Sequence, residues 1–95
     1  MIRLKLGVVI ASLGDEGVLE PALAAQKVWE SNGWGDVWIT SGIDGNHRMG
    51  SSHYSGHAID LRLPPDPDLA VIGLRGFLPN WKVILETTHI HVQRV

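Results

Sequence analysis

The five histidines fall into two groups, His47, His53 and His57 in one stretch and His89 with His91 near the end. Imidazole shuttles protons near neutral pH and is a common metal ligand, so this grouping is the first sign of a site. In an extended segment alternate side chains share a face, which sends His89 and His91 one way and Ile90 the other. Asp60 lies among Ala58, Ile59, Leu61 and Leu63. A carboxylate there is costly to bury unless a cation or strong donors satisfy it. Gly56, between His53 and Asp60, permits the tight turn that lets both approach one point. The chain has no cysteine, so a metal would be held by imidazole and carboxylate. The set His53, Asp60 and His91 leaves a fourth tetrahedral position for water, the arrangement of catalytic rather than structural zinc. Zinc is therefore the expected cofactor. It lowers the pKa of bound water to about 7 and polarises a carbonyl oxygen, which makes amide hydrolysis feasible at neutral pH. Glu86, His89 and His47 stand near these ligands in sequence, each able to take the water proton or stabilise an oxyanion. A satisfied polar cluster or a closed structural zinc is the competing reading of the same residues. His57 differs in strand parity from Asp60 and is expected to face away.

These side chains need elements to position them. Arg3 to Ile10 is apolar enough for a strand or an extended arm, and Gly14 to Gly17 breaks it. Val18, Ala22, Ala25 and Trp29 recur at helical spacing, with Pro21 suited to a first turn and Asn32-Gly33 to a stop, so a helix is expected over 21–31. Residues 37–40 read as a strand that enters the polar loop 41–52. A second strand around Asp60 ends at Pro64-Pro65. Asp66-Pro67 forms a cap and first turn for a second helix that ends by Pro79-Asn80. Trp81 to Glu86 and His89 to Gln93 read as a hairpin joined by Thr87-Thr88. The expected fold is α+β: one domain over 1–95, a small antiparallel sheet with one or two helices packed on it, and zinc on the face left exposed. Trp29, Trp34, Trp38 and Trp81 are expected in the core or at its rim.

The composition sets limits on partners. Hydrophobic residues at 44% and charged residues at 19% suit a packed core and exclude a disordered chain. A net charge of −2 provides no broad basic field, so nucleic acid is not an expected partner. The start, Met1 to Leu13, has a basic residue and an apolar run, but Ser12-Leu13-Gly14-Asp15 is a poor cleavage site. A soluble monomer without a signal peptide or a membrane span is expected.

Ser51-Ser52-His53-Tyr54-Ser55-Gly56-His57-Ala58-Ile59-Asp60, with His89-Ile90-His91 downstream, resembles the superfamily of zinc D-alanyl-D-alanine peptidases, lysostaphin-type endopeptidases and the hedgehog signalling domain. The local likeness to hedgehog is strongest, through Asp44-Gly45-Asn46-His47, Ser51, His53-Tyr54, Gly56, Ala58 and Asp60, then Trp81 to Glu86 and the His-x-His pair. The resemblance spans roughly Val37 to Gln93. It implies zinc on His53, Asp60 and His91, with His47, Glu86 and His89 as the catalytic surroundings. The resembled carboxypeptidases and dipeptidases carry an acid three positions before the last ligand, where this chain has Thr88. If Glu86 takes that role at its usual spacing, His89 becomes the ligand. Those proteins also carry an arginine after a Ser-Gly pair, whereas Ser41-Gly42 is followed by Ile43-Asp44, so Arg48, with Ser51, is the expected contact to substrate. The activity implied is hydrolysis of a D-alanine-containing or related bond in peptidoglycan, as a phage-type or bacterial enzyme at the cell wall. The alternative implied by hedgehog is a zinc-containing binding module.

Overall fold

The computed structural model describes residues 1–4, 19–41 and 58–94. Strand β1 (Ile2–Leu4) is followed by helix α1 (Leu19–Asn32), strands β2 (Val37–Ser41) and β3 (Ala58–Arg62), helix α2 (Pro67–Phe77), and strands β4 (Trp81–Leu85) and β5 (His89–Arg94). The strands form a single five-stranded sheet in the order β1-β2-β3-β5-β4.

The expected α+β class holds, but the sheet is mixed rather than antiparallel. β1 runs parallel to β2, whereas β2–β3, β3–β5 and β4–β5 are antiparallel. The helices explain the difference. A helix of 14 residues carries the chain back about 21 Å, so the strand after it points the same way as the strand before it. β1 and β2, joined through α1, are thus parallel neighbours. β3 and β4 are joined through α2 and also run parallel, but β5 lies between them and pairs antiparallel with each, a split β-α-β arrangement.

Local chemistry sets the element ends. α1 stops at Gly33, whose φ of 68° suits a residue without Cβ. There the Gly33 N–H donates to the Glu30 carbonyl at 3.2 Å and the Trp34 N–H to the Trp29 carbonyl at 3.0 Å, a Schellman closure. At the start of α2, Asp66 accepts from the Leu69 N–H at 3.2 Å and Pro67 fills the first turn.

Both helices lie against one face of the sheet. Val37, Ile39, Ile59, Leu61, Val83, Ile90 and Val92 point into that layer and meet Ala25, Val28, Trp29, Ala70 and Leu74. Gly73 lets the helices approach closely, since a Cβ built there would lie 3.1 and 3.2 Å from the two Val28 methyls. Trp81 and Trp29 are buried, and Trp29 meets the half-buried Trp34 edge-on at 5.5 Å. The Trp81 indole N–H donates to Glu20 Oε1 at 2.9 Å, which ties α1 to β4.

Candidate metal centre

Strand alternation places the polar residues on the opposite face of the sheet. In β3 and β5 the register pairs Asp60 with His91, Arg62 with His89 and Ala58 with Gln93. Ile59, Leu61, Ile90 and Val92 occupy the helix side, so Asp60, Arg62, His89, His91 and Gln93 share the other. β2 carries a register shift between Ile39 and Ser41, beside Asp60, where the Thr40 hydroxyl donates to the Asp60 carbonyl at 3.4 Å. Bulges of this kind bend a strand and re-aim its neighbours.

The His91 Nδ1 and Asp60 Oδ1 atoms lie 2.8 Å apart, and the His91 Nε2 lies 2.7 Å from Gln93 Oε1. The side chains of His91 and Asp60 are 16% and 14% exposed, so water screens their contact weakly. The hydrogen bond to Asp60 raises the His91 imidazole above its ordinary value. Burial opposes the rise, and the Gln93 carbonyl and the negative charge of Glu86 add to it. Protonated His91 satisfies both acceptors at once, one with each ring nitrogen.

His89 stands in the next row, with its Nε2 3.7 Å from Asp60 Oδ1 and its Nδ1 3.0 Å from the Thr88 hydroxyl. Glu86 is exposed at the hairpin corner and caps the turn through its N–H, which donates to the His89 carbonyl at 2.9 Å. Strand alternation puts Glu86 on the face of Ile84, and its charge acts on His91 across that face.

Of the expected ligands, Asp60 and His91 are brought together, with His89 beside them. His47, Arg48, Ser51, His53 and His57 lie outside the described residues. Among the described residues no three His, Asp or Glu side chains converge on one point. A zinc shell begun by Asp60 and His91 therefore needs a donor from elsewhere in the chain, and His53 is the expected one. The donor chemistry fits zinc, because a carboxylate oxygen and an imidazole nitrogen already face each other and are linked by a proton that a metal would replace. Of the two imidazoles, His91 lies directly across from Asp60 and nearer to it than His89 does.

Two residues on this face, and one contact, were not anticipated from the sequence as parts of a site. Gln93 and Arg62 each stand two positions after a candidate ligand on the same strand face, a spacing that would have found both. The Thr88 contact to His89 depends on the hairpin turn and had no comparable signal.

Comparison of the chain with protein-family models, with curated proteins and with solved structures finds no match. Among the described residues no helix is long and apolar enough to cross a membrane.

Proposed function

We propose that this chain is a zinc-dependent peptidase that hydrolyses a peptide bond in bacterial peptidoglycan, with a D-alanine-containing bond as the favoured class. The observation that carries the reading is the Asp60–His91 contact at 2.8 Å on the face of the sheet opposite α1 and α2, with a second imidazole in the adjoining row. The substrate class comes from the resemblance of the segment around His53 and Asp60, together with His89-Ile90-His91, to cell-wall peptidases.

Zinc, when bound, supplies an acidic water and a polarising centre for the scissile carbonyl. Asp60 and His91 would hold it with His53, and Gln93 would orient the His91 ring by accepting from Nε2–H. His89 is the candidate to move a proton. With its Nδ1 proton donated to the Thr88 hydroxyl, its Nε2 offers a lone pair on the side of Asp60, where a water proton can be taken and passed to the leaving amine. Glu86, exposed at the hairpin corner, is the second candidate base.

Thr88 favours a second reading. It stands three positions before His91, where the resembled carboxypeptidases carry an acid, and a zinc domain without that acid can serve as a non-catalytic binding module. The two readings separate by mass spectrometry of purified peptidoglycan incubated with zinc-loaded protein. Fragment release that chelator, His89→Ala or Glu86→Ala abolishes supports the peptidase. Saturable binding without release supports the module.

A further inference from the structure

A row of side chains lies next to Asp60 and His91 on the same face of the sheet. It runs across four strands: Arg3 on β1 pairs with Trp38 on β2, and Arg62 on β3 pairs with His89 on β5. The Arg62 guanidinium lies over the Trp38 ring, 4.8 Å from its centroid, and Arg3 approaches the same ring at 5.9 Å. The two cations differ in their partners. Arg3 is committed to Asp36, whose carboxyl it holds below the ordinary value chiefly through their hydrogen bond. Arg62 is exposed and, among the described residues, its side chain makes no ion pair or hydrogen bond.

A guanidinium laid on an indole face is held by the ring's negative potential while its N–H edges stay available. Holding it there in the free protein reduces the side-chain entropy lost when a ligand arrives. Trp38 and Arg62 both line an open recess of about 270 Å³, together with Trp34, Asp36 and the Pro64-Pro65 pair. One planar cation with no ion-pair partner among the described residues matches one carboxylate, which it can grip with two parallel hydrogen bonds. A doubly charged phosphate would call on a second cation, and the other arginine at this ring, Arg3, is already paired with Asp36.

We propose that Arg62, held on Trp38, binds a carboxylate of the substrate and so selects acidic peptides. This inference rests on the peptidase reading of the neighbouring site and names its substrate more closely. Arg62 follows Asp60 by two positions on the same strand face, a rise of about 6.6 Å, which is also the rise of about two residues of an extended peptide.

The test uses a peptidoglycan stem peptide with free carboxylates and the same peptide with every carboxylate amidated. Binding is measured by calorimetry, with the Trp38 indole N–H followed by NMR, both in chelator and with zinc. The free acid is expected to bind about tenfold more tightly than the amide, as for loss of a charge-assisted hydrogen bond. Arg62→Gln should erase that preference and Arg62→Lys restore part of it, with only a small fall in the thermal unfolding temperature from loss of the stacking on Trp38. Equal binding of the two peptides, no binding of either, or a preference that survives Arg62→Gln overturns the proposal. Fragment release separates it from the underlying reading. Cleavage of both peptides alike, insensitive to Arg62→Gln, removes the carboxylate subsite and leaves the peptidase. Preferential binding without cleavage keeps the subsite and removes the peptidase.

Discussion

Asp60→Asn keeps the size of the side chain and an oxygen that can accept from His91, but removes the charge. The 2.8 Å contact between Nδ1 and Oδ1 has the length of a charge-assisted hydrogen bond, and both side chains are mostly shielded from water. Hydrogen bonds to charged groups contribute about 1.5–3 kcal/mol and neutral ones about 0.5–1.5, so the substitution should cost the metal-free protein about 1 kcal/mol. The pH dependence gives a sharper test. Asp60 raises His91 above its ordinary value of 6.5, so the folded state binds that proton more tightly than the unfolded chain. The added stability is fully present below 6.5 and is lost as pH rises through the raised folded value. Urea unfolding in chelator at about pH 6 and about pH 9 should therefore show a deficit for Asp60→Asn that narrows at the higher pH. The comparison is repeated in a His89→Gln background, because that imidazole lies 3.7 Å from the same carboxylate oxygen. A deficit equal at both pH values, or larger in alkali, would refute the assignment of the His91 proton to Asp60.

Other expectations follow from neighbouring residues. His91→Ala should reduce zinc affinity by more than tenfold in competition with a chromogenic chelator, whereas His89→Ala should retain zinc and lose fragment release; the reverse pattern makes His89 the ligand. Zinc binding near pH 6 should release a proton from His91, seen as a calorimetric enthalpy that varies with the ionisation heat of the buffer; an enthalpy independent of buffer contradicts this. Gly73→Ala gains helix propensity of up to about 1 kcal/mol but drives a methyl to 3.1–3.2 Å from Val28, a crowding that costs about 1–3 kcal/mol. It should be neutral to destabilising alone and stabilising by about 1 kcal/mol in a Val28→Ala background, and chemical denaturation that shows no change of sign removes the close-packing explanation.

Much of the framework was legible because it rests on local chemistry. Asp66-Pro67 marked the start of α2, Asn32-Gly33 the end of α1, and alternation around Ile90 placed His89 and His91 on one face. The parallel pairing of β1 was not legible, since it depends on where α1 returns the chain and the segment Ile2–Leu4 has no alternation of its own to declare a neighbour. The direct register of Asp60 with His91 was also hidden. Parity gives a face but not a partner, and the partner is fixed by β5 inserting between β3 and β4. Trp38 was expected in the core or at its rim, and its half-buried position agrees, but its contact with Arg62 joins residues on different strands that the sequence alone does not bring into register.

If Asp60 and His91 hold zinc as proposed, zinc K-edge X-ray absorption of the purified protein, with metal analysis, will show it. One zinc per chain is expected, with a first shell of nitrogen and oxygen at about 2.0–2.1 Å that contains imidazole and loses a ligand in Asp60→Ala and in His91→Ala. Protein that takes up no stoichiometric zinc, or a shell unaltered by both substitutions, would contradict it.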